Sequence, residues 1–199
     1  MTQSVENKVF RRIRGTVKGA VFSPRTFLDL GSRRAVDLAL HRLVKAGKVR
    51  RLTRGLYDYP QQHPMFGSVF PSPEAVAKAL AGKDAVRFQP SGAYAANLLG
   101  LSDQVPAKIV FLTEGRGKRV KIGRQEIVLK RTSPRNMATA GRLSGLIIQA
   151  LRFLGRTHVD DRLVARLKRK LTLADARALP KDVAYAPAWI GDIMRKVAD

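Results

Sequence analysis

Between Gly31 and Gly47 the apolar and cationic residues separate onto opposite sides of a helix, and this pattern restricts the fold more than any other stretch. Set Arg34 at 0° and advance about 100° per residue. Asp37, His41 and Lys45 then fall at about −60°, −20° and +20° on that helical wheel. Ala39, Leu43, Val36 and Leu40 fall at about 140°, 180°, 200° and 240°, on the far side. A helix patterned this way buries one stripe and presents the other, mainly basic, to solvent or to a partner. Leu38, near +40°, sits on the polar side, where it meets either a thymine methyl group or a neighbouring element. Ser32 is the expected N-cap and Gly47 the expected stop.

The flanking segments complete a recognisable order. Val5, Val9, Phe10 and Ile13 repeat at helical spacing before Gly15. Ala20-Val21-Phe22 is a short apolar run, and Ser23-Pro24 opens a second, brief helix with proline at its first position. After the helix at 33–46, Lys48-Val49-Arg50-Arg51-Leu52 and Leu56-Tyr57-Asp58-Tyr59 flank Thr53-Arg54-Gly55, which reads as a hairpin. Helix, strand, helix, turn, helix and basic hairpin is the order of a winged helix-turn-helix. Residues 1–60 are assigned to it.

Segment 60–72 holds three prolines and a glycine, and residues 61–72 are expected to be a linker. Residues 73–199 then form a second, mixed α+β domain with a helical C-terminus. Its expected elements are a helix at 73–81, a strand at 85–89 and a helix capped by Pro90-Ser91 that runs to Leu99. Ile109-Val-Phe-Leu112 reads as a strand buried on both faces, and Arg119 to Leu129 as a hairpin turning at Gly123. Helices follow from Leu143 to Leu154, from a Thr157–Asp160 capping box onward, and from Pro187.

Charge narrows the function. The 199 residues carry 38 Lys+Arg against 15 Asp+Glu, a formal net charge of +23. Residues 1–60 hold 14 cations and 4 acids, so both parts are basic and the first is denser. An excess this size points to a polyanion, most simply nucleic acid. The absence of cysteine removes a disulfide framework, a thiol nucleophile and Cys-ligated metals. The longest apolar stretch, Leu143 to Leu154, is interrupted by Gln149 and Arg152 and is too short to span a bilayer. No apolar signal-peptide core opens the chain, so a cytoplasmic protein without membrane association is expected.

Catalytic patterns are lacking. Three histidines and no cysteine leave few nucleophile–base pairs, and neither Gly-x-Ser-x-Gly nor a phosphate-binding Gly-rich loop occurs. Gly67-Ser68 is not followed by paired aspartates, and Asp160-Asp161 point about 100° apart on a helix. The chain is therefore read as a non-enzyme that needs no cofactor or metal. His41 has Lys45, not a ligand, one turn on.

The expected DNA-binding residues are Ser32, Arg33, Arg34, Asp37, His41, Arg42 and Lys45 on the helix, with Arg50, Arg51, Thr53 and Arg54 in the hairpin. Arg33 and Arg34 stand at the helix N-terminus, the part that reaches base edges in the major groove. Asp37 either accepts from a cytosine amino group or, by preference, steers a neighbouring arginine. The hairpin arginines grip phosphates, enter a minor groove or are merely solvated. Lys118, Arg119, Lys121 and Arg124 form either a second phosphate patch or a soluble strand face.

Arg54-Gly-Leu-Tyr-Asp-Tyr-Pro60 resembles the wing strand of the AbiEi-type antitoxins of bacterial type IV toxin–antitoxin, or abortive-infection, systems. Gln89-Pro-Ser-Gly-Ala-Tyr-Ala-Ala-Asn-Leu-Leu-Gly-Leu-Ser, Val105-Pro-Ala-Lys-Ile-Val-Phe-Leu-Thr and the 119–131 hairpin are similar to that family's C-terminal domain. The resemblance spans about residues 5–150. It implies a transcriptional regulator whose winged helix binds its own promoter, an operator in double-stranded DNA. It also implies a C-terminal domain that counters a nucleotidyltransferase toxin without a stable complex. The alternative is an RNA-binding or ribosome-associated basic protein. An aromatic content of 7% disfavours it, because single strands are held largely by base stacking.

Overall fold

The computed structural model describes residues 3–65, 67–82 and 87–199. The chain divides into two compact units, Met1–Gly82 and Lys83–Asp199, each with its own core. The architecture is mixed α and β, and its C-terminal stretch is helical.

In the first unit, helix α1 (Val5–Arg14) is capped by Ser4, whose hydroxyl accepts from the Asn7 amide. Strand β1 (Val21–Phe22) follows, and the expected second helix is a single 3₁₀ turn over Pro24–Phe27. Helix α2 (Arg33–Lys45) starts at the Ser32 cap as its spacing requires. Strands β2 (Arg50–Thr53) and β3 (Leu56–Asp58) turn at Gly55, whose φ of 77° suits glycine. All pairing is antiparallel, in the order β1-β3-β2, with a bulge between Arg51 and Thr53. Val9 and Ile13 of α1 and Val36, Ala39, Leu40 and Leu43 of α2 pack with Phe22, Phe27 and Val49 into one apolar cluster. The helical wheel therefore located the buried stripe of α2.

The segment expected to be a linker is ordered. Strands β4 (Gln61–His63) and β5 (Gly67–Val69) form an exposed antiparallel hairpin, with Gln61 opposite Val69 and His63 opposite Gly67. Helix α3 (Pro73–Ala81), capped by Ser72, lies against β1 and belongs to this first unit. The division therefore falls after Gly82 instead of within residues 61–72. The physical reason is Arg50. Its Nε and Nη2 donate to the Asp58 carboxylate at 3.1 and 2.5 Å. Nη1 donates to the Ser68 hydroxyl at 3.0 Å, and Nη2 also donates to the Val69 carbonyl at 2.8 Å. The guanidinium lies 4.8 Å from the centroid of the Phe70 ring. One side chain thus fastens the second hairpin to the first.

The second unit is a four-stranded sheet with helices. Strands β6 (Phe88–Ser91), β7 (Lys108–Thr113), β8 (Lys118–Ile122) and β9 (Gln125–Arg131) take the order β6-β7-β9-β8. β9 pairs parallel to β7, and the other pairs are antiparallel. Ala85 and Val86 of the expected strand lie outside the described residues, and the strand reaches Ser91. Helix α4 (Gly92–Leu98) begins where expected, with Ser91 at the N-cap position, but the Ser91 hydroxyl donates to the Gln149 side-chain oxygen at 3.2 Å instead of making a cap hydrogen bond. β7 is covered on both faces: Phe111 meets the rings of Phe88 and Tyr94, while Leu112 is buried on the opposite side.

Helices α5 (Pro134–Met137), α6 (Leu143–Leu154), α7 (Asp161–Lys168), α8 (Leu173–Ala178) and α9 (Ala188–Ala198) follow. Leu99, Ile147, Leu151, Leu167, Ile190 and Met194 form their shared core. Thr157 sits in a 3₁₀ turn, and Asp160 alone caps α7, accepting from the Leu163 amide at 2.8 Å. The reciprocal capping box lies at Thr172 and Asp175. Hydrogen bonds from the Thr172 hydroxyl and amide hold the Asp175 carboxyl below its ordinary range. Buried Asp182 accepts from Arg142 and Ser144, which ties the 3₁₀ segment Leu179–Tyr185 to the start of α6.

Removing one member of a buried ion pair strands the other. Arg50→Ala should therefore destabilise the protein by about 3–5 kcal/mol in urea unfolding. Arg51→Ala, exposed on the same strand, should stay within about 0.5 kcal/mol; equal losses would contradict the bracketing role of Arg50. A fragment ending at residue 82 should also melt higher than one ending at residue 60, which lacks Ser68, Val69 and α3. Coincident melting curves would show that the second hairpin and α3 do not belong to the first unit's fold.

Candidate nucleic-acid interface

The outward stripe of α2 is where basic side chains collect on a rigid support. Val36, Ala39, Leu40 and Leu43 are buried beneath, so the helix cannot rotate without exposing its core. Arg33, Arg34, His41, Arg42 and Lys45 are exposed above. Ser32 is occupied as the cap: its hydroxyl accepts from the Ala35 amide at 3.3 Å. Asp37 accepts from Arg33 Nε at 2.8 Å, an i,i+4 pair that orients the guanidinium. Arg42 lies 3.6 Å from Glu6 of α1. Arg34 and Lys45 have no acidic partner among the described residues.

The hairpin residues divide. Arg51 and Arg54 are exposed, on β2 and in the turn, while Thr53 is half-buried next to the bulge. Arg50 instead is the bracket described above, three-quarters buried over an Asp58 that is 0% exposed. Its hydrogen-bonding capacity is directed inward, so it is not part of the exposed basic surface.

Several first-unit cations were not singled out by sequence. Arg12 makes a two-pronged pair with Asp29, at 2.8 and 2.7 Å, and that hydrogen bonding holds its guanidinium still more firmly protonated. Lys48 Nζ lies 4.7 Å from the Phe10 ring centroid, and Arg14 and Lys18 lean over Phe10 and Tyr59. The run Arg11-Arg12-Ile13-Arg14 carried the charge signal, but only the fold separates a cation paired with Asp29 from those resting on aromatic rings.

In the second unit the alternation of β8 splits the expected phosphate patch. Arg119 and Lys121 share one face with Glu126 and Val128 of β9, whereas Lys118 projects to the other with Val120 and Leu129. Arg124 is exposed at the turn. Register brings Lys108, opposite Glu126, and Lys130, opposite Leu112, onto the Arg119 and Lys121 face. Arg119 Nε reaches Glu126 at 3.1 Å. Lys108 and Lys130 were missed because the pairing of β9 between β7 and β8 is not written in any local pattern.

No group of three or more His, Asp or Glu side chains able to hold a metal ion occurs among the described residues. No helix among them is long and apolar enough to cross a membrane.

No curated protein matches the chain. Among solved structures, it is similar to the RV2827C protein of Mycobacterium tuberculosis, with 17% sequence identity and a TM-score of 0.48. That alignment covers 98% of this chain and 82% of the other. Residues 8–179 match the family model DUF6088, described as a family of unknown function, and the chain belongs to that family.

Proposed function

We propose that the protein is a DNA-binding transcriptional regulator whose first unit is a winged helix-turn-helix. In this reading α2 enters the major groove and the β2–β3 hairpin is the wing. The order of α1, β1, the 3₁₀ turn, α2 and β2–β3, with the sheet order β1-β3-β2, supports it. The observation that carries it is the α2 surface. Arg34 and Lys45 stand exposed, without acidic partners among the described residues, over a stripe fixed by four buried residues. Cations held in that way cost little to bring against phosphate, because no ion pair must be broken first.

Roles follow from position. Arg34, at the N-terminal end of α2, donates to base edges, most simply the two acceptors of guanine. Asp37 aims Arg33. Lys45, Arg42, Arg51 and Arg54 neutralise phosphates, and Ser32 and Arg50 hold the scaffold. By its resemblance to the AbiEi-type antitoxins, the regulator would act on its own promoter. The second unit would then oppose a nucleotidyltransferase toxin without a lasting complex.

With Arg42, Lys45, Arg51 and Arg54 each neutralising a phosphate, log K for duplex DNA should fall against log salt with a slope of about −3.6. A slope near zero, or a preference for single-stranded RNA, would overturn the reading. Arg34→Ala should cost roughly 1–3 kcal/mol on the specific site and far less on random duplex. Arg51→Ala should weaken both alike. Equal losses on both duplexes for Arg34→Ala would remove its base-reading role.

A further inference from the structure

Leu38 is a large apolar side chain, 50% exposed in the middle of the cationic stripe of α2. Arg34 and Arg42 lie one turn before and after it. On the helical wheel Arg34 and Lys45 sit about 40° and 20° to one side, and Arg42 about 40° to the other. Leu38 borders a shallow groove of about 180 Å³ with Ser4, Val5, Glu6, Ala35, Ala39 and Arg42, and among the described residues of the first unit nothing closes over Leu38. The sequence left open whether a neighbouring element covers this residue, and half of its surface stays exposed beside α1. Whatever meets it must be apolar at one point and anionic on the side of Arg34 and Lys45, while Arg42 on the other side is paired with Glu6.

We infer that Leu38 reads the 5-methyl group of a thymine in the major groove, an inference that rests on the DNA-binding role proposed above. The groove floor offers that methyl as its apolar feature, and its walls are phosphates. A second copy of this chain does not fit, because pairing α2 with itself would set Arg34, Arg42 and Lys45 against their own kind. An apolar contact of this sort discriminates thymine from cytosine without any hydrogen bond. It complements Arg34, whose donors select guanine.

The test uses the full chain and an operator selected from a random duplex pool of the four unmodified nucleotides, where thymine is the sole source of a 5-methyl pyrimidine. Thymines of the selected site are replaced one at a time by uracil, which deletes the methyl and nothing else. At one position, wild type should lose about fourfold in affinity, the weight of one buried methyl-sized group. Leu38→Ala should bind the thymine and uracil duplexes equally, and Leu38→Met, which keeps an apolar reach, should restore the difference. Two results overturn the inference while leaving DNA binding intact. One is a uracil penalty of the same size in wild type and Leu38→Ala. The other is a Leu38→Ala loss that is equal on both duplexes while wild type shows no uracil penalty, as a lost protein–protein contact would give. Failure to enrich any duplex overturns the DNA-binding reading itself.

Discussion

The Arg50–Asp58 pair is the constraint on which the first unit depends. A carboxylate with no solvent exposure is tolerated only because a guanidinium meets both of its oxygens. That guanidinium also binds Ser68 and the Val69 carbonyl, so its cost is shared by two hairpins that are not neighbours in the sheet order. Asp58 lies opposite both Val21 of β1 and Arg50 of β2, which places the pair at the centre of the three-stranded sheet. The surface of α2 is useful only if this sheet and the helices keep one arrangement.

Much of that arrangement was legible. α1 and α2 begin and end where caps and periodicity place them, because a helix is specified by residues three and four apart. The β2–β3 hairpin was legible from Gly55 and its flanking β-prone runs. The β4–β5 hairpin was not. His63, Pro64 and Gly67 read locally as loop, and what orders the segment is an arginine 18 and 19 residues earlier. For the same reason Arg50 looked like its exposed neighbour Arg51. Residue type cannot separate a bracket from a contact when the deciding partner is distant.

The second unit shows the same limit from the side of the sheet. Strand alternation correctly set Arg119 and Lys121 apart from Val120 and Ile122. It could not supply Lys108 and Lys130, because the parallel pairing of β7 with β9 is a long-range choice. Ser91 illustrates a local rule overridden by packing. A serine ahead of a helical run is a sound cap, but here it completes the environment of buried Gln149. Gly145 packs so closely against Thr139 and Gln89 that no side chain fits, and no sequence period announces such an approach.

The first unit holds two kinds of arginine, those on the exposed surface of α2 and the one turned inward beneath the hairpins. Arginine Nε–H signals in a heteronuclear spectrum of the full chain, titrated with its selected duplex, observe both at once. On binding, the Arg34 signal should shift and become protected from solvent exchange, while the Arg50 signal, bonded to Asp58 before and after, should stay in place. A shift at Arg50 with none at Arg34 would contradict this division.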